Sequence, residues 1–375
     1  MRYYLTFFLF VITYTISAQF SVGHSTSSFF DAARSNREIP CEIYYPAVSA
    51  GDNVTMVDGV FPFIVFGHGF VMNYTAYESL NNALVSSGYV LIFVETEGGF
   101  APSHNTYGLD LAYVADHFFE QNTITGSTFE NHLLDRCAIM GHSMGGGSSW
   151  LAATSSLSVD CIAGLAPAET NPSAIDAASD VLVPSIVLSG SSDAVTPPSS
   201  NHIPIYESTA SSCRIFVDIL EGSHCGYADS GSLCDFGEFG FSGLNRETQQ
   251  SITIDLLLAF FDFHLKELGS GNAVLQNYDS AQLNTQTQIE CLVGVDEQEI
   301  STMSVYPNPC IHSLFLNYSA DGNMPYQLTD SMGRLVSRGS LFFTNQFAEL
   351  QTSYLTPGLY SISIRDEVIT RFVKQ

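Results

Sequence analysis

From about residue 40 to residue 266, short apolar runs rich in Val, Ile and Phe alternate with longer stretches of helical periodicity. The apolar runs fall at residues 42–45, 61–66, 89–95, 137–140, 161–165, 182–188 and 214–220. Helical patterns lie between most of them, at 75–86, 109–121, 143–155, 204–210 and 248–266. Strands without polar alternation, separated by helices, predict a parallel sheet covered on both faces. The expected fold class is therefore α/β, a doubly wound, mostly parallel sheet occupying residues 19–269.

The pattern then changes twice. Residues 270–302 are rich in Gly, Asn, Gln, Ser and Thr, with Asn272, Gln276, Asn277, Gln282, Asn284, Gln286 and Gln288 in quick succession, which is the composition of a linker. Residues 303–375 carry short alternating strands at 313–318, 326–329 and 359–364, punctuated by Asp321-Gly322-Asn323 and Pro357-Gly358. With no helical periodicity among them, a small all-β sandwich is expected.

At the N-terminus, Met1-Arg2 precedes an apolar run over 3–16 and then Ser17-Ala18-Gln19, the layout of a secretory signal peptide over 1–18 cleaved after Ala18. That run is shorter than the roughly 20 residues a membrane span needs, and no later run is longer, so no membrane span is expected. The formal net charge is −26, from 38 acidic and 12 basic residues. Phosphate binding needs clustered Lys and Arg, so the charge argues against nucleic acid and anionic membrane surfaces as partners. Eight cysteines in an exported chain permit disulfides without fixing their connectivity. Two pairs stand out: Cys225 and Cys234 close a short loop, and Cys137 and Cys161 begin two strands expected to be neighbours. There is no CxxC and no paired His at ligand spacing, so a metal site is not expected.

The chemistry concentrates in Gly141-His142-Ser143-Met144-Gly145, directly after the apolar run 137–140. A strand that breaks into a helix at a serine between glycines is the nucleophile elbow of an α/β-hydrolase. A serine hydroxyl needs an imidazole to take its proton, and the imidazole needs a carboxylate to orient it. In this fold the order is Ser, acid, His. Asp193, in the turn Gly190-Ser191-Ser192-Asp193, is the acid candidate, and His224, in Gly222-Ser223-His224-Cys225, is the base candidate. Each follows a strand. His202 also follows Asp193 but opens a helix, and His264 lies mid-helix. The oxyanion needs two N–H donors, expected from Met144 and, in the turn Gly67-His68-Gly69-Phe70, from Phe70.

Two resemblances sharpen this reading. Gly141 to Gly147, Ala166-Pro167, Ser192-Asp193-Ala194-Val195-Thr196-Pro197 with Ile203-Pro204-Ile205-Tyr206, and Gly222-Ser223-His224 together resemble the cutinase and polyester-hydrolase group, which includes poly(ethylene terephthalate) hydrolases. The resemblance implies a secreted serine carboxylic ester hydrolase acting on hydrophobic esters or polyesters without a cofactor, its shallow cleft lined by Phe70, Met144 and Val195. One departure concerns the aromatic that such enzymes often place after the Ala-Pro: here the stretch reads Ala168-Glu169-Thr170-Asn171-Pro172. A small-ester or phospholipid acetylhydrolase, a chlorophyllase-like esterase and a catalytically silent surface protein are the competing readings. Further on, Tyr306-Pro307-Asn308-Pro309, Asp330-Ser331-Met332-Gly333-Arg334, Leu355-Thr356-Pro357-Gly358-Leu359-Tyr360 and Val373-Lys374 look like a type IX secretion C-terminal sorting domain. That resemblance implies an address read by the export machinery.

Overall fold

In the computed structural model of this chain, Phe63, Val65, Ile92 and Ile139 join one hydrophobic cluster, while Ile64, Phe66, Leu91 and Met140 join another. Side chains alternate across a strand, so strands lacking polar residues deliver apolar groups to both faces and need a covering layer on each. The structure describes residues 19–374 except 232, 239–242, 282–283, 292–303, 319–321, 331–334, 345 and 365–367. The signal peptide read at 1–18 and the end of the expected linker lie outside the described residues. The chain divides into two compact units, Met1–Leu292 and Val293–Gln375.

The first unit is built on β1 (Ser21–Asp31), β2 (Arg37–Ala47), β3 (Gly51–Asp52), β4 (Phe61–Gly67), β5 (Val90–Val94), β6 (Leu133–His142), β7 (Val159–Leu165), β8 (Ser185–Gly190), β9 (Cys213–Ile219) and β10 (Thr285–Cys291), in the sheet order β10-β9-β8-β7-β6-β4-β5-β2-β1-β3. Its centre, from β5 through β9, is parallel, as the apolar runs predict. The helices are α1 (Glu78–Ser86), α2 (His104–His117), α3 (Met144–Ala153), α4 (Ala174–Ala178), α5 (His202–Ser208), α6 (Arg246–His264) and α7 (Gly269–Ala281). All strand-to-helix turns that matter for chemistry come at the carboxyl edge of the parallel strands, where ligands bind in open α/β sheets.

Two antiparallel additions at the edges escape the hydrophobic pattern. β1 pairs with β2 along its whole length, and β10 pairs with β9 from Thr285↔Ile219 to Cys291↔Cys213. Both are polar on one face, as edge strands are when water covers one side. The linker expected at 270–302 is thereby corrected over its first part: α7 buries Leu275 and Tyr278 in the same core as α6, and β10 extends the sheet. A disulfide between Cys213 and Cys291 ties β10 to β9. Gln- and Thr-rich composition read as linker because an edge strand needs few apolar residues.

The expected Cys137–Cys161 bridge is also corrected. In the β6–β7 register Cys161 lies opposite Ala138, one step away from Cys137, and the two thiols are buried in different clusters on opposite faces. A one-residue offset sends two side chains to opposite sides of a sheet. Both cysteines are free.

The second unit is all-β, as expected. It contains β11 (Ser304–Tyr306), β12 (Ser313–Asn317), β13 (Gly322–Asp330), β14 (Leu335–Phe343), β15 (Phe347–Gln351), β16 (Gly358–Ile364) and β17 (Val368–Lys374). They form two sheets, β11-β12-β15 and β14-β13-β16-β17, around Leu314, Leu316, Leu328, Ile362, Ile364 and Phe372.

Candidate active site

Ser143 stands alone between β6 and α3, with φ 55° and ψ −118°. Non-glycine residues adopt positive φ only where the surroundings enforce it. Here they do: the Ser143 N–H donates to the Leu165 carbonyl at 2.9 Å, and its own carbonyl accepts from Gly147 and Ala168 at 3.0 and 2.9 Å. The flanking glycines are needed for close approach. A Cβ on Gly145 would land on the Gly67 carbonyl of β4, and one on Gly141 would land on the backbone of Gly145. The elbow is spelled Gly-x-Ser-x-Gly because strand and helix touch through bare backbone at both positions.

The structure brings Ser143, His224 and Asp193 into one hydrogen-bonded line. His224 Nε2 lies 2.9 Å from Ser143 Oγ, and His224 Nδ1 lies 2.7 Å from Asp193 Oδ2. All three are buried. Asp193 sits in the turn after β8, where its Oδ1 accepts the amides of Val195 and Thr196, each at 2.8 Å. Burial pushes the Asp193 pKa up, but the hydrogen bond and charge of His224, with the Thr196 amide, outweigh it and leave the carboxyl below its ordinary value. An ionised carboxylate on Nδ1–H leaves Nε2 free to accept the serine proton.

His224 is gripped through its backbone from two directions. The Glu238 carboxylate accepts the His224 N–H at 2.6 Å and the Cys225 N–H at 2.9 Å. The segment carrying Glu238 is tied down by the Cys225–Cys234 disulfide, the pair expected from the sequence, and by the Arg246–Asp235 ion pair. On the other side, His142 Nε2 lies 3.1 Å from the His224 carbonyl. A carbonyl only accepts, so Nε2 carries the proton, and Nδ1 accepts from the Tyr77 hydroxyl at 3.0 Å. Burial holds the His142 pKa well below its ordinary value, so the ring stays neutral. Tyr77 in turn accepts the Gly69 N–H at 2.9 Å, and Tyr107 accepts the His68 N–H at 2.7 Å. The turn that leads to Phe70 and the backbone of His224 are thus joined through His142 and Tyr77. Neither tyrosine, nor Glu238, carries a motif, and they come from remote parts of the chain.

Met144 opens α3, where the first amides of a helix have no partner inside it and the dipole favours negative charge. Its side chain is only 3% exposed and packs into the core, so its share of a cleft lining is small. Phe70 and Val195 are exposed. Phe100, which sequence reading missed, is 86% exposed and meets Phe70 edge-on at 6.4 Å between ring centroids. Among the described residues, the one cluster of metal-ligating types is His142, His224 and Cys234. Its sulfur is in a disulfide and its imidazoles are engaged in the hydrogen bonds above, so it offers no thiolate ligand.

Comparison with known proteins returns two families. A model described as PET hydrolase-like matches residues 19–252, more than half of the chain, and one described as a secretion system C-terminal sorting domain matches residues 304–375. The sorting domain marks the chain for secretion, and no described helix is long and apolar enough to cross a membrane. Among curated proteins, the chain is similar to a bis(hydroxyethyl) terephthalate hydrolase of Streptomyces coelicolor, 27% identical over 209 residues. That match covers 54% of this chain and 60% of the relative, so the chain spans less than two thirds of the relative's length.

Proposed function

Because this chain belongs to the PET hydrolase-like family, we propose that it is a secreted serine hydrolase of carboxylic esters. Ser143 is the nucleophile, His224 the base, Asp193 the group that orients His224, and the amides of Met144 and Phe70 the oxyanion donors. The observation that carries this reading is the line from Ser143 Oγ to His224 Nε2 at 2.9 Å and from His224 Nδ1 to Asp193 Oδ2 at 2.7 Å.

In this mechanism Ser143 Oγ attacks the ester carbonyl as its proton passes to His224 Nε2. The imidazolium that forms is stabilised by the Asp193 carboxylate. The carbonyl oxygen gains negative charge at the N-terminal end of α3, where the Met144 amide and the helix dipole favour it. His224 then returns the proton to the departing alcohol, leaving an acyl-enzyme on Ser143. Water, activated by the same imidazole, attacks the acyl carbon and releases the acid.

The substrate we assign is a hydrophobic ester with an aromatic acid or alcohol, including terephthalate esters and polyesters. Phe70, Phe100 and Val195 support this, since they are exposed in the segments that follow β4, β5 and β8. The export machinery that reads the sorting domain is the proposed partner.

The test is a panel of esters running from acetate to long acyl chains, bis(hydroxyethyl) terephthalate and a polyester film, assayed with the wild type and Ser143→Ala. Loss of at least about 10³-fold in kcat is expected for the variant. Equal turnover by wild type and variant would overturn the assignment. Turnover of acetate alone would favour a small-ester hydrolase.

A further inference from the structure

Asp193 faces a second imidazole. His202, at the start of α5, is fully buried. Its Nε2 lies 3.0 Å from Thr196 Oγ1 and 3.6 Å from Asp193 Oδ2, and its Nδ1 lies 2.9 Å from Ser189 Oγ. The apolar residues that this helix buries in the core are Ile205 and Tyr206.

The proton positions follow from chemistry. A bare ring nitrogen beside a carboxylate oxygen would set lone pair against lone pair, so Nε2 carries the hydrogen. Nδ1 then accepts from the Ser189 hydroxyl. Burial pushes the His202 pKa down to about 4, so one proton is all the ring holds at neutral pH. The hydroxyl of Thr196 is the hub. Its oxygen lies 2.9 Å from Asp193 Oδ2, 2.9 Å from His224 Nδ1 and 3.3 Å from the Ala166 carbonyl. A hydroxyl has one hydrogen, and it can go to Asp193 or to Ala166. When the His202 N–H occupies one lone pair of that oxygen, the rotor is held with its hydrogen toward Asp193.

We propose that His202 is a positioning residue: its Nε2–H fixes the Thr196 hydroxyl as a donor to Asp193 Oδ2, and so holds the carboxylate in line with His224 Nδ1. Asp193 then receives four hydrogen bonds, from two amides, Thr196 and His224. With its other directions filled, the carboxylate keeps the angle that His224 needs. The proposal rests on the serine-hydrolase reading for its effect on rate, while its effect on the Asp193–His224 pair stands apart from turnover.

The experiment compares His202→Gln with His202→Asn in the full chain. A Gln amide reaches the place of Nε2 and can donate to Thr196, whereas an Asn amide reaches only the place of Nδ1. On a soluble aryl ester, the Asn variant is expected to lose about ten-fold in kcat with KM changed by less than about two-fold, and the Gln variant to retain most of the rate. The downfield proton resonance of the His224–Asp193 hydrogen bond is recorded in parallel. It should shift or broaden in the Asn variant and persist in the Gln variant. Equal kcat in the two variants, or an unchanged resonance in the Asn variant, would overturn the proposal. If the wild type hydrolyses no ester but the resonance still responds in the Asn variant alone, the positioning role holds and the hydrolase reading falls.

Discussion

The Glu238 carboxylate accepts the backbone N–H of His224 at 2.6 Å, across 14 positions of sequence. The imidazole of the proposed base is therefore set through its backbone by a side chain from another segment. Placed so, the carboxylate also satisfies the Cys225 amide, and it is anchored by a disulfide rather than by regular structure.

Removing that carboxylate leaves two amides without their acceptor. A hydrogen bond to a charged group contributes roughly 1.5–3 kcal/mol. Glu238→Ala should lower kcat about ten-fold through misplacement of His224, with Glu238→Gln milder. Steady-state kinetics on a soluble ester with both variants checks this; identical kcat values in the wild type and the Ala variant would refute it.

The two disulfides should differ in what they protect. Cys213–Cys291 spans 78 positions and Cys225–Cys234 spans 9. On the chain-entropy account, the first contributes about 4–5 kcal/mol and the second about 2–3 kcal/mol. Cys291→Ser should therefore cost more in denaturant midpoint. Cys234→Ser should cost less stability but lower kcat, because it loosens the segment that carries Glu238. Paired denaturation curves and kinetics separate the two effects.

Close packing at the elbow predicts a contrast between glycines. A methyl on Gly145 would meet the Gly67 carbonyl, whereas one on Gly99 meets nothing within 4 Å. Gly145→Ala should destabilise by roughly 3 kcal/mol and abolish hydrolysis, and Gly99→Ala should leave both nearly unchanged. Melting temperature and esterase rate decide it.

Glu95 should make stability fall as pH rises from about 4.5 to about 7. Burial pushes its pKa from an ordinary 4.5 up to about 7, with the charge of Glu42 adding and the Tyr74 amide opposing. A carboxyl that is harder to ionise in the folded state contributes most below about pH 4.5, and this is lost as pH rises through 7. Glu95→Gln, which can still accept from Tyr74, should melt higher than the wild type at pH 8 and with it at pH 4. A thermal-melt series across that range is the check.

The edge-on pair Phe70 and Phe100 predicts a selective effect on aromatic esters. Aromatic contacts of this kind contribute about 0.5–1.5 kcal/mol, so Phe100→Ala should raise KM about three-fold for an aryl ester and leave an acetate unaffected. Parallel KM values on the two substrates test it.

Much of this arrangement is written in local patterns. Runs such as 61–66 and 137–140 are apolar on both sides, which only a covered parallel sheet tolerates. Ser143, Asp193 and His224 each follow such a run in the order a hydrolase uses. Gly141 and Gly145 announce the elbow because no other residue leaves room there. Signals of this kind are local: they depend on the residue and its near neighbours, and so can be read one segment at a time. By contrast, β10 and α7 were invisible, since an edge strand and a helix on the outer layer need only a few apolar residues. The Cys213–Cys291 pairing and the failure of Cys137 to reach Cys161 depend on strand register, which is a property of two segments at once. Glu238 and Tyr77 join the site from distant positions, and nothing in their neighbourhoods distinguishes them from any other Glu or Tyr, while His202 stands out only as a histidine that follows Asp193. Their roles arise only when folding sets their polar atoms within hydrogen-bond reach of the elbow and its partners, since such bonds act over about 3 Å and the chain alone says nothing about which distant groups will come that close.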